Sequence, residues 1–282
     1  MKKHLISLVL ALVCVGVCCL YLLIDQNRTD THPPVISFGE EMPEISTKDP
    51  QKLLLQGVTA QDKVDGDVTA SLVVESLELL DPDGTIRVTY AAFDKAGNVT
   101  KAVRQAKFTD YESPRFSLSQ SLTFSHSSGF DIFRMIQAQD ALDGDISHRI
   151  RVTSLDESSV TTMGLHQVEL RVSNSLGETV KLVIPVEVYA AGSYEATLKL
   201  KEYLIYLPAG ETLDAESYLD AFSRSGVSVA LANGLPEGYS LDVKSDVQPN
   251  VPGVYTVEYR VTQTVGAATY TGYAKLIVVV EG

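Results

Sequence analysis

The chain has no cysteine after Cys19, and that absence excludes a good deal. Cys14, Cys18 and Cys19 are the only three, so the rest of the chain has neither a disulfide framework nor a thiolate metal site. Signatures of common chemistries are missing too. No glycine-rich phosphate loop occurs. Beyond the N-terminal segment His32, His126, His148 and His166 stand singly, with no His-x-x-x-His pair or His-Glu helix to hold zinc. Ser125-His126-Ser127-Ser128 sets a hydroxyl beside a base, but no nucleophile elbow surrounds it and the segment reads as a polar loop. A basic excess is also lacking. The formal net charge is −13, and setting aside Lys2 and Lys3 leaves −15 on the remainder. Such a surface repels nucleic acid and anionic polymers and attracts cations.

What is present is ordinary folded protein: 45% apolar and 21% charged residues, in a length of 282 that suits two or three small domains. One segment differs. Leu5 to Ile24 is a run of 20 residues without a charge, long enough to cross ~30 Å of hydrocarbon as a helix. Lys2 and Lys3 precede it, which places the N-terminus inside and everything after Ile24 outside. Two other fates compete with an uncleaved anchor. A cleaved signal peptide wants a small-residue cleavage site, whereas this run ends Leu20-Tyr21-Leu22-Leu23-Ile24-Asp25. A lipoprotein signal wants a small residue before the modified cysteine, but Cys14, Cys18 and Cys19 follow Val13, Val17 and Cys18. The run 5–24 is therefore expected to be an uncleaved anchor.

The rest of the chain repeats itself. Val58 to Val68 contains Ala60-Gln61-Asp62, then Asp65-Gly66-Asp67, and the pattern returns 78 residues later as Ala138-Gln139-Asp140, then Asp143-Gly144-Asp145. A glycine-led segment, Gly84 to Ala92, recurs as Gly164 to Val172 and again as Gly253 to Val261. Each copy alternates apolar and polar residues with period two, the mark of a half-buried strand. After the first two copies comes a glycine-containing break and a further strand, 99–108 and 180–188, which makes a β-hairpin. Pro33-Pro34 and Pro114 sit at matching entries to the first two copies. The resulting organisation is a cytoplasmic stub 1–4, an anchor 5–24, a linker 25–30 and three all-β domains over 31–110, 111–190 and 191–282. In the third, Leu213, Ala215, Tyr218, Leu219 and Phe222 behind Thr212 have helical spacing, which predicts a short helix.

Asp62, Asp65-Gly66-Asp67-Val68-Thr69, Val88-Thr89-Tyr90 and Asp94-Lys95-Ala96-Gly97-Asn98 together resemble the immunoglobulin-like repeat of bacterial surface proteins, a module also present in a pesticidal crystal protein. The second copy keeps Asp140 and Asp143-Gly144-Asp145 but has Asn174 and Glu178 where Asp94 and Asn98 stand. The third keeps only Pro252-Gly253-Val254-Tyr255-Thr256-Val257-Glu258-Tyr259. The resemblance covers roughly residues 31–282. It implies a β-sandwich used as a spacer or adhesive module; with the charge-free run 5–24, the expected fold is three tandem immunoglobulin-like β-sandwiches after one N-terminal transmembrane helix, at the surface of a bacterium expected to be Gram-positive. An animal extracellular domain of this kind would usually carry a disulfide, which this chain lacks.

Two residue groups carry the expectations about binding. Asp62, Asp65, Asp67 and Asp94, with Asp140, Asp143 and Asp145, offer hard oxygen ligands near glycine turns, so calcium is a candidate cofactor. Asp110 and Glu112, at the boundary between copies, are further acids that could complete a shell. The competing account has these aspartates accepting turn N–H groups and setting strand starts. The other group is aromatic: nine of the 13 tyrosines fall after residue 190, suggesting a face for protein or carbohydrate against the plain alternative of β-propensity. The expectation for function is a non-catalytic surface spacer or adhesion protein. A calcium-stiffened rod and, remotely, a hydrolase using paired acids are the alternatives.

Overall fold

The computed structural model describes residues 10–21, 30–126, 131–154 and 162–282. Residues 10–21 are helical. Among the described residues no helix is long and apolar enough to cross a membrane. The expected span 5–24 runs beyond the described residues at both ends, and the stub 1–4, most of the linker 25–30, and Ser127 and Ser128 also lie outside them. The chain divides into two compact units, Met1–Tyr111 and Glu112–Gly282.

In the first unit the period-two pattern gives β1 (Val35–Ser37), β2 (Glu44–Ile45), β3 (Thr59–Asp62), β4 (Gly66–Asp67), β5 (Val73–Asp81), β6 (Thr85–Phe93) and β7 (Val99–Phe108). A short helix, α1 (Pro50–Leu54), links β2 to β3, with proline in its first turn where a missing N–H costs nothing. The strands form one sheet of order β1-β3-β4 and another of order β2-β7-β6-β5, in which only β2 and β7 run parallel. Central strand β6 buries Ile86, Val88, Tyr90 and Ala92 along one face. The Tyr90 hydroxyl donates to the Leu54 carbonyl at 2.9 Å and accepts from Arg104 Nε at 2.9 Å, which resolves the polar end of a fully buried ring. Before β6 the chain turns at Gly84, whose φ of +89° suits glycine alone and whose carbonyl accepts from Phe108 N at 2.9 Å.

The second unit contains β8 (Arg115–Leu118), β9 (Thr123–Ser125), β10 (Ile136–Asp140), β11 (Gly144–Asp145), β12 (Arg151–Ser154), β13 (Gly164–Ser173) and β14 (Thr179–Tyr189). It continues with β15 (Ala196–Leu200), β16 (Leu204–Leu207), β17 (Leu219–Arg224), β18 (Val227–Ala230), β19 (Tyr239–Ser245), β20 (Gly253–Val265) and β21 (Ala268–Val280). Sheets β11-β10-β8 and β12-β13-β14-β9 reproduce the strand order of the first unit, including one parallel pair, β9 with β14. The third copy repeats that order again. β18-β17-β15 matches β11-β10-β8, and β19-β20-β21-β16, with β16 parallel to β21, matches β12-β13-β14-β9. Pairing of β15 with β21 merges its two layers into one seven-stranded sheet.

The helix expected over 212–222 is corrected. Only Ala215–Tyr218 forms a 3-10 turn, and Leu219–Arg224 is strand β17. Leu219 pairs with Leu200 and Phe222 with Leu198, so burial against β15 outweighs the helical spacing. The second and third copies share one continuous apolar core, running from Phe116 and Ile184 through Leu198 and Phe222 to Tyr259 and Val280. Polar contacts reinforce it: the Tyr206 hydroxyl accepts from Phe116 N at 2.8 Å, and Arg115 pairs with Glu281 at 2.8 Å.

Candidate metal centre

Both Asp-Gly-Asp segments are built alike. At the end of β3, Asp62 turns inward because the strand's alternation buries Ala60 and Asp62 together. One carboxylate oxygen, Oδ1, accepts the N–H groups of Val64 at 2.7 Å and Asp65 at 2.8 Å, closing the turn into β4. Those bonds hold its carboxyl below the usual range. Asp67 Oδ1 accepts Thr69 N at 2.9 Å, and Thr69 holds its carboxyl down too. Asp65 reaches the β6–β7 hairpin, where Oδ2 accepts Lys95 N at 2.8 Å. In the second copy Asp140 Oδ1 accepts Leu142 N and Asp143 N at 2.9 and 2.8 Å, and Asp145 Oδ1 accepts Ser147 N at 2.9 Å. Asp143 takes Ser175 N at 2.8 Å and pairs with Arg149 at 2.5 Å.

The two copies part at one position. In the second, Asn174 follows β13; its Oδ1 accepts Leu176 N and Glu178 N, and its Nδ2 donates to Asp140 Oδ2 at 3.0 Å. Every oxygen of the buried Asp140 is thereby satisfied. In the first, Asp94 occupies that place. It accepts Asn98 N at 2.8 Å and Asn98 Nδ2 at 2.7 Å, and these bonds outweigh the upward push of burial on its carboxyl. A carboxylate has no proton to give, so Asp62 Oδ2 is buried with no hydrogen bond.

A third carboxylate meets this pair. Asp30 is held by its own backbone carbonyl, which accepts Asn98 Nδ2 at 3.0 Å, and by His32 N, which donates to its Oδ1 at 2.9 Å. Its side chain is 8% exposed, and its Oδ2 is likewise buried with no hydrogen bond. One oxygen from each of Asp30, Asp62 and Asp94 lies within 4.8 Å of the others. Of the seven acids singled out in the sequence, Asp62 and Asp94 converge. Asp65, Asp67, Asp143 and Asp145 point to turn amides, and Asp140 meets an amide rather than an acid. Asp110 is taken by Ser46 Oγ at 2.6 Å and Thr47 N at 2.7 Å. Asp30 was missed because it precedes the first repeat; its one signal is that it stands before Pro34 as Asp110 stands before Pro114.

The tyrosines of the third copy are spent on packing. None of the nine is exposed: Tyr203 and Tyr259 are buried and the others half-buried. Tyr259 donates to the Ala215 carbonyl at 2.8 Å, and burial raises its hydroxyl well above the usual range. Tyr194 packs against Tyr189 and Tyr273, each with its ring centroid 4.9 Å from that of Tyr194, and Lys275 lies over the Tyr273 ring and pairs with Glu187 at 2.5 Å and Glu258 at 3.0 Å. His166 faces the core on β13, with Nε2 2.7 Å from the Thr162 carbonyl.

No family model matches the chain. Over 58 residues, 21% of its length, it is 43% identical to an uncharacterized 81.3 kDa protein of Acholeplasma phage L2, and it spans only 8% of that protein. Among solved structures, protocadherin gamma B2 extracellular cadherin domains 1-5 align with 89% of this chain and 60% of their own at 11% identity and a TM-score of 0.21. The M60 catalytic domain with CBM51-1 and CBM51-2 of Clostridium perfringens ZmpB aligns with 88% and 43% at 11% identity and a TM-score of 0.25. Human mucin-like protocadherin EC1-2 aligns with 59% and 98% at 10% identity and a TM-score of 0.21. Likeness at these TM-scores carries no argument about fold or function, and the fold described above rests on the chain's own strand order.

Proposed function

We propose that the chain is a non-catalytic spacer and binding protein of a bacterial cell surface, with immunoglobulin-like repeats outside the membrane and an anchor over residues 5–24. The observation that carries this reading is the use to which the acids are put. In both complete copies of the motif Oδ1 of the first aspartate (Asp62, Asp140) and the two that follow (Asp65 and Asp67, Asp143 and Asp145) accept backbone amides at matching places, so they build a repeated module. The charge-free run after Lys2 and Lys3 supports the anchor and its orientation. A net −13 supports contact with protein or carbohydrate rather than nucleic acid. The partner is a protein or carbohydrate met at the surface.

The test is protease shaving of intact cells followed by an alkaline carbonate wash of their membranes. The expected result is loss of epitopes within 31–282 from intact cells, with a residual N-terminal fragment that resists the wash. Protection of those epitopes until the cells are lysed, or recovery of the whole chain in the wash, would overturn the location.

A further inference from the structure

We propose that Asp30, Asp62 and Asp94 bind one divalent cation of the calcium class, which clasps the segment leading into the first repeat onto that repeat. Three observations carry it. First, one oxygen from each carboxylate lies within 4.8 Å of the others, close enough to share one ion. Second, Asp30 Oδ2 and Asp62 Oδ2 are buried and accept no hydrogen bond, an expensive state for ionised oxygens unless something positive sits between them. Third, the chain contains its own comparison. Where the second copy has Asn174, an amide N–H fills the place at 3.0 Å from Asp140 Oδ2; where the first has Asp94, a charge of the opposite sense is required.

The donor set decides the kind of ion. All the oxygens are hard carboxylate donors with no thiolate, and the one nearby imidazole, His32, is 69% exposed and has its Nδ1 3.4 Å from Asp30 Oδ1, where it pairs with a ligand carboxylate. Zinc and copper favour nitrogen and sulfur, whereas calcium takes six to eight oxygens in flexible geometry and fills the rest of its shell with water or carbonyls. Magnesium demands a tighter octahedron and gives up its waters reluctantly. Asn98 is the positioning residue: its side-chain amide donates both to Asp94 Oδ2 and to the Asp30 carbonyl, so one residue sets two of the three ligand-bearing segments.

The full chain, freed of metal with chelator in detergent, is titrated with calcium chloride by calorimetry and melted with and without calcium. One bound calcium per chain and a higher melting temperature are expected. Asp94→Asn installs the amide of the second copy and should weaken calcium binding at least ~10-fold while leaving the metal-free melting temperature equal or higher. Asp30→Asn, outside the strands, should weaken binding similarly, whereas Asp145→Asn should leave it unchanged. Magnesium chloride should compete poorly. The absence of binding at millimolar calcium would overturn the proposal. Unaltered binding in both Asp94→Asn and Asp30→Asn would overturn it equally.

Discussion

At the residue scale, one amide in place of one carboxylate separates two otherwise matching turns. Asn174 donates to the buried Asp140 Oδ2, so Asn174→Asp removes that donor and sets two like charges together. A loss of ~1–3 kcal/mol in the stability of the second unit is expected, read from its urea midpoint. An unchanged midpoint would show that the side chains move apart at no cost. The acids also set the pH response. Lys107 and Thr85 hold Asp83 down to about 2, Ser46 and Thr47 lower Asp110, and Ser147 lowers Asp145. A carboxyl whose pKa is lower folded than unfolded stabilises above the unfolded value, ~3.9, and loses that contribution as pH falls through the folded one. The melting temperature should therefore stay level from pH 7 to 5 and fall below ~4, with the Asp83 contribution persisting to about 2. A melting temperature that rises between pH 5 and 3 would contradict this. Asp62 and Asp94 were legible in the sequence through the repeated motif. Their third partner was not, because Asp30 enters from 32 positions before Asp62 and only the fold brings it in.

At the element scale, the hairpins were legible and the short helix was not. Period-two alternation after Gly84, Gly164 and Gly253 is a local signal, and β6, β13 and β20 follow it. The helical spacing of Leu213 to Phe222 is a local signal too, but β15 offers Leu219 and Phe222 a buried strand place that the local pattern does not encode. The turns give a sharper test. A Cβ at Gly84 would stand 2.8 Å from the Phe108 carbonyl oxygen, which itself belongs to the backbone of β7. Gly97 has the same φ of +89° but open space around it. Gly84→Ala should therefore cost ~2 kcal/mol or more, combining a left-handed backbone with a clash, while Gly97→Ala should cost only ~1 kcal/mol. Chemical denaturation of the first unit distinguishes them, and equal costs would mean that β7 yields to the new methyl group.

At the scale of the whole molecule, repeat boundaries and folding boundaries differ. The sequence divides after residue 190, where the second copy of the motif ends, yet the apolar core passes through that point without interruption. Phe116 N donates to the Tyr206 hydroxyl, Lys275 N donates to Ser121 Oγ at 2.9 Å, and Lys275 Nζ sits between Glu187 and Glu258 with its side chain 11% exposed. Cutting at 190 would expose the apolar face that the third copy covers and strand Glu187 without its cation, whereas cutting at 111 follows the division into compact units. A fragment of residues 112–282 should therefore unfold in one cooperative transition with a dispersed amide spectrum. A fragment of residues 112–190 should bind hydrophobic dye and melt broadly or aggregate. Lys275→Met in the longer fragment should lower its melting temperature without producing that dye binding, since the apolar cover remains while the charge that pairs both carboxylates is gone. A well-dispersed spectrum from residues 112–190 alone would show that the shared core is an association of two independent domains, and the third copy would then be a detachable one.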